Sequence, residues 1–124
     1  MTSDVHYPPE IWQRSYEPNI KPHLTYERTM LPEFLERSAA EFPDRIALVF
    51  EGHSVSYRKL NEMVNRFAAC LRDMGIRKGD GVAILLPNVI PCVIAYYAIL
   101  KIGAIAVMNN PLYSDRELEH QFKD

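Results

Sequence analysis

From Gly81 to Met108 the chain is apolar almost without interruption, Asn88 and Lys101 being the clear exceptions, and its punctuation divides the stretch into three elements. Gly81 to Leu86 is a continuous apolar run of strand length, the pattern of a strand covered on both faces. Pro87-Asn88 and Pro91 break the run, and Val89 to Ile102 then predicts a helix that is apolar nearly all round. Gly103 stops that helix, and Ala104 to Met108 predicts a second buried strand. Two buried strands joined through one helix are expected to be parallel, with a right-handed crossover. The same breaks leave no uninterrupted apolar span of about 20 residues, the length a membrane crossing requires.

Upstream, the period changes from element to element. Leu31, Phe34, Leu35, Ala39 and Phe42 recur at helical spacing, with Pro32 tolerated in a first turn and Pro43-Asp44 ending the pattern. Ile46 to Phe50 and Val55 to Tyr57 flank Glu51-Gly52-His53-Ser54, which reads as a hairpin with a glycine-containing turn. Ser56 stands where an N-cap belongs, ahead of the stripe Leu60, Val64, Phe67, Ala68 and Leu71, and Gly75 closes that helix. Lys78-Gly79-Asp80 makes a polar turn before the first buried strand.

Residues 1–28 are rich in proline, tyrosine and polar side chains without a period, and are expected to lie as an extended leader over the surface of residues 29–124. Trp12, Tyr16 and Tyr26 then either anchor the leader on its own domain or face outward as a dimer or membrane-surface contact. At the other end, Ser114-Asp115-Arg116-Glu117 spells a capping box, with Leu118 and Phe122 opening an apolar face. The sequence stops while that helix is still running. A doubly wound sheet would continue into a third strand, so residues 29–124 are expected to be an incomplete domain.

Composition narrows the chemistry. A length of 124 residues supports one small domain or part of one, and 14 Lys and Arg against 16 Asp and Glu include no basic block that would track a phosphate backbone, so nucleic acid is not an expected partner. Asp4, His6, Pro8, Pro9 and Glu10 interrupt any signal-peptide layout, which predicts a cytoplasmic protein. Cys70 and Cys92 fall inside apolar helical patterns and are expected to pack as small hydrophobes without a disulfide. His6, His23, His53 and His120 are scattered, and no metal site is expected.

Gly79-Asp80-Gly81 has two glycines at dinucleotide-fingerprint spacing, but Ile84 takes the third place and the loop precedes a strand, so it reads as a tight turn. No Gly-x-Ser-x-Gly elbow is present. Tyr96 and Tyr97 read as core residues with hydroxyls at the rim rather than as a ring-stacking site. Asn88 and Asn110 follow the ends of the two buried strands, where open α/β sheets place ligands; they are the best polar candidates, with turn formation as the plainer role.

Several short motifs in fixed order carry a resemblance. Pro43-Asp44 with Ala47, Ser56-Tyr57 with Leu60 and Asn65, Gly75 with Lys78-Gly79-Asp80 and Val82, Leu86-Pro87-Asn88, Gly103, and Asn110-Pro111 through Tyr113 together resemble the N-terminal sequence of AMP-forming acyl-CoA synthetases. Tyr113 through Gln121, and the leader with Trp12, Tyr16 and Pro18, are similar to bacterial long-chain fatty acid-CoA ligases in particular. Gly81, Lys59 and Ser114 depart from the family's usual Arg, acidic residue and Thr, all at scaffold positions.

The resemblance implies an α/β fold, the N-terminal part of the synthetase large domain, with helices packed on a partly parallel sheet through one strand-helix-strand crossover. It implies a full-length parent that joins a fatty acid and ATP into an acyl-adenylate and then transfers the acyl group to CoA, with ATP, magnesium and CoA as cofactors. The phosphate loop, acidic motifs and mobile lysine of that family lie beyond Asp124, so no catalytic, cofactor-binding or metal residue is assigned here and the chain itself is expected to be inactive scaffold. Aryl- or medium-chain acyl-CoA ligases share the same scaffold residues, and a non-catalytic dimerisation module is the alternative from another class. A homodimer or other self-association, and a peripheral membrane contact, complete the expectations for partners.

Overall fold

The computed structural model describes residues 11–21, 23 and 26–123. Asp4, His6, Pro8, Pro9 and Glu10 lie outside the described residues.

Helix α1 (Leu31–Glu41) carries Pro32 in its first turn, where a missing N–H costs no helical hydrogen bond, and buries Leu35. An antiparallel hairpin follows, β1 (Ile46–Phe50) with β2 (His53–Ser56). The turn is tighter than the sequence suggested. Glu51 and Gly52 alone form it, at φ 46° and 80°, the two positive values that match the twist of a two-residue hairpin turn. His53 and Ser54 are therefore strand residues, and Tyr57 opens the next helix rather than closing the strand. Ser56 serves both elements: it pairs with Ile46 in the ladder, and its Oγ accepts the Lys59 amide at 3.3 Å as the N-cap of α2 (Tyr57–Asp73).

Helix α2 turns Leu60, Val64, Ala68 and Leu71 inward, while Phe67 of the expected stripe stays 36% exposed. Gly75, at φ 97°, ends the helix, and the amide of Ile76 returns to the Leu71 carbonyl at 3.0 Å. Strand β3 (Gly81–Ile84), helix α3 (Ile90–Lys101) and strand β4 (Ile105–Met108) then form the expected parallel unit, in register Gly81 to Ile105 through Ile84 to Met108. Strand β3 stops two residues short of Leu86. Pro87 has no N–H to extend a ladder, and the Ile84 carbonyl is already taken by the Asn109 amide at 3.0 Å. Helix α4 (Asp115–Lys123) follows.

One core joins these elements. Leu35, the inner stripe of α2, Ile84, Cys92, Ala98, Ile99 and Ala104 pack together, with Val82, Ala106 and the apolar residues of α3 around them. Each large aliphatic side chain buried this way contributes about 1.5–3 kcal/mol. Lys101 on α3 pairs with Glu36 on α1 across the helix layer.

The parallel pair is covered on one face only, which corrects the expectation of strands buried on both. Val82, Ile84 and Ala106 face the core, whereas Gly81, Ala83 and Ile105 on the alternate positions are exposed. The hairpin and the parallel pair form separate two-stranded sheets, so among the described residues no third strand extends either one.

Ile11–Ser15 form a short 3-10 helix that packs on no other described element. Trp12 is 57% and Tyr26 79% exposed, and Tyr16 is exposed too, so these rings do not anchor the leader on the domain.

Candidate functional site

The chain's polar candidates converge on the carboxyl ends of β3 and β4, and most of their bonding capacity is spent within the chain. Asn110 closes a turn: its Oδ1 accepts the Leu112 amide at 3.0 Å and its carbonyl accepts the Tyr113 amide at 3.1 Å. Asn88 is exposed at the start of the loop into α3. The residue the sequence reading passed over is Asn109. It is only 6% exposed, its Nδ2 donates to the Val107 carbonyl at 2.7 Å, and its Oδ1 is buried with no donor among the described residues. An Asn immediately before Asn-Pro reads as part of a polar turn; here it follows the last residue of β4 directly and is buried as its amide and side chain bond back to Ile84 and Val107.

The loop before β3 is a folded turn rather than a phosphate cradle. The Arg77 amide donates to Asp80 Oδ2 at 2.7 Å, the Gly79 amide to the Gly103 carbonyl at 3.0 Å, and the Ile105 amide to the Asp80 carbonyl at 2.8 Å. These amides, which a nucleotide phosphate would need, already have partners.

Tyr96 and Tyr97 are half-buried and meet edge to face, with centroids 5.7 Å apart at 87°, as members of the helix layer. Cys92 is buried as expected, but Cys70 is exposed because it lies on the outer side of α2, beside Phe67 and Ile94. His23 lies 3.2 Å from the Gln13 amide nitrogen, His53 borders the hairpin turn and His120 lies on α4. Among the described residues no group of three or more His, Cys, Asp or Glu side chains could share a metal ion, and no helix is long and apolar enough to cross a membrane.

The capping box is made, with one change. Glu117 Oε2 accepts the Ser114 amide at 2.8 Å as expected, while the Ser114 hydroxyl donates to the same carboxylate oxygen at 2.7 Å. The hydroxyl and then the amide of Ser114 stabilise the ionised carboxylate and hold its pKa below the ordinary range.

Two concave regions flank the parallel unit. A cavity of about 270 Å³ lies between the hairpin and the start of α3, lined by Leu48, Phe50, Val89, Ile90 and Val93 with Asn88 as its polar member. A wider groove of about 520 Å³ runs between the open face of the sheet and α4, bordered by Gly81, Ala83, Val107, Gln121 and Phe122. Neither contains a nucleophile next to a base or a set of donors aimed at an anion. The described residues that line them offer no set of donors or carboxylates suited to ATP or magnesium.

The described residues form a mixed helix and strand layer built on one parallel strand-helix-strand unit with one sheet face open. The chain is a member of the AMP-binding enzyme family, which it matches over residues 35–124. It is 39% identical over 113 residues to the long-chain-fatty-acid--CoA ligase of Bacillus subtilis, covering 91% of this chain and 20% of that protein. It is 38% identical over 117 residues to the ligase of the same name from Escherichia coli O6:H1, covering 93% of this chain and 21% of that protein. The chain thus spans about a fifth of the length of these curated relatives. Among solved structures, O-succinylbenzoate coenzyme A synthetase from Bacillus subtilis in complex with AMP superposes at TM-score 0.72 and 36% identity, over 77% of this chain and 25% of that one. The Klebsiella oxytoca NpsA N-terminal subdomain in complex with anthranilyl-AMSN superposes at TM-score 0.74 and 32% identity, over 76% of this chain and 24% of that one.

Proposed function

We propose that this chain is the opening framework layer of a fatty acid-CoA ligase, whose whole protein activates a fatty acid with ATP to acyl-AMP and transfers the acyl group to CoA. The observation that carries the fatty-acid reading is the reach of the match. A similarity covering 113 of 124 residues extends into the leader ahead of Arg28, whereas the family match begins at residue 35. The solved structures named for aryl acids cover only 76–77% of this chain, so the longer reach of the ligase match supports the fatty-acid reading.

ATP, magnesium, CoA and fatty acid are, in this reading, ligands of the whole protein and not of these residues. The protein works in the cytoplasm, and the exposed rings of Trp12, Tyr16 and Tyr26 are the surface available to a second copy or to a membrane. A second reading, an aryl-acid ligase, is favoured by the solved structures, since NpsA was captured with anthranilyl-AMSN and the Bacillus subtilis synthetase is named for O-succinylbenzoate.

Assaying the whole protein that carries this sequence with palmitate and with benzoate separates the two readings: palmitoyl-CoA formation supports the first, benzoyl-CoA formation the second. The framework role is tested on the chain alone. Pyrophosphate release with palmitate, ATP and magnesium should stay at background, and release that depends on palmitate would contradict it.

A further inference from the structure

No further inference is drawn: the strongest candidate, the apolar cavity of about 270 Å³ between the β1–β2 hairpin and the start of α3, with Asn88 as its polar member, carries nothing because nothing in the structure shows what covers it.

Discussion

Asn109 holds the end of the neighbouring strand at Ile84: its backbone N–H donates to the Ile84 carbonyl at 3.0 Å, and its side-chain Nδ2 lies 3.5 Å from the same oxygen while donating to Val107 at 2.7 Å. The carboxyl ends of β3 and β4 are therefore fastened by a side chain that is almost wholly buried. Asn109→Ala removes those donors but also an unpaired acceptor, and should cost about 1 kcal/mol. Asn109→Asp puts a carboxylate against two carbonyl oxygens and should cost about 3 kcal/mol or more at neutral pH. Urea unfolding of the two variants checks the order, and equal losses would show that the carbonyl contacts contribute nothing.

Gly103 stands at φ 77°, and a Cβ there would lie 3.0 Å from Lys78 Cγ. A flexible lysine can move aside, so the backbone conformation is the larger obstacle, and Gly103→Ala should destabilise by about 1–2 kcal/mol. Most of that loss should persist in a Lys78→Ala background. Gly81→Ala is the contrast, because its Cβ would meet only Val107 Cγ2 at 3.8 Å without a positive φ, and it should stay within about 0.5 kcal/mol of the parent in thermal unfolding.

Glu117 supplies the pH dependence. Its folded pKa is lowered by the hydroxyl and amide of Ser114, so the cap's contribution is fully present above the ordinary carboxylate pKa of about 4.3 and is lost as the pH falls through the lower folded value. Ser114→Ala should move the Glu117 titration, followed by NMR, upward toward the ordinary range and loosen the first turn of α4. An unmoved titration would show that the cap is not formed in solution.

The outcome of reading the sequence follows what each residue needs to know about its surroundings. The stripe on α2, the Ser56 cap and the parallel order of β3 and β4 were legible because local spacing and punctuation suffice for them. Phe67, Cys70 and the open side of β3 were misjudged because an apolar side chain announces that it can be buried and not what lies opposite it. Asn109 was missed for the opposite reason: a polar residue beside a proline turn looks solvated until its bonds back to Ile84 and Val107 are seen.

Self-association follows from the uncovered sheet. Ile105 on the open face and Phe122 beside it are each 57% exposed in the single chain, and each would gain by leaving water. Light scattering should show the average mass of the isolated chain rising across micromolar concentrations, and Ile105→Asp with Phe122→Asp should suppress the rise. A constant monomer mass with cooperative unfolding would favour a self-sufficient interaction module.

The central claim is that these residues are interchangeable framework for an adenylate-forming ligase, and a chimera tests it most directly. Residues 31–123 of this chain would replace the corresponding stretch of the Bacillus subtilis long-chain ligase, with palmitoyl-CoA formation measured against the intact enzyme. At 39% identity across the match, kcat/KM should remain within about tenfold of the parent, a loss of no more than about 1.4 kcal/mol in transition-state stabilisation. A soluble, folded chimera that forms no palmitoyl-CoA would contradict the claim, because it would mean that the relative's layer supplies chemistry that this one does not.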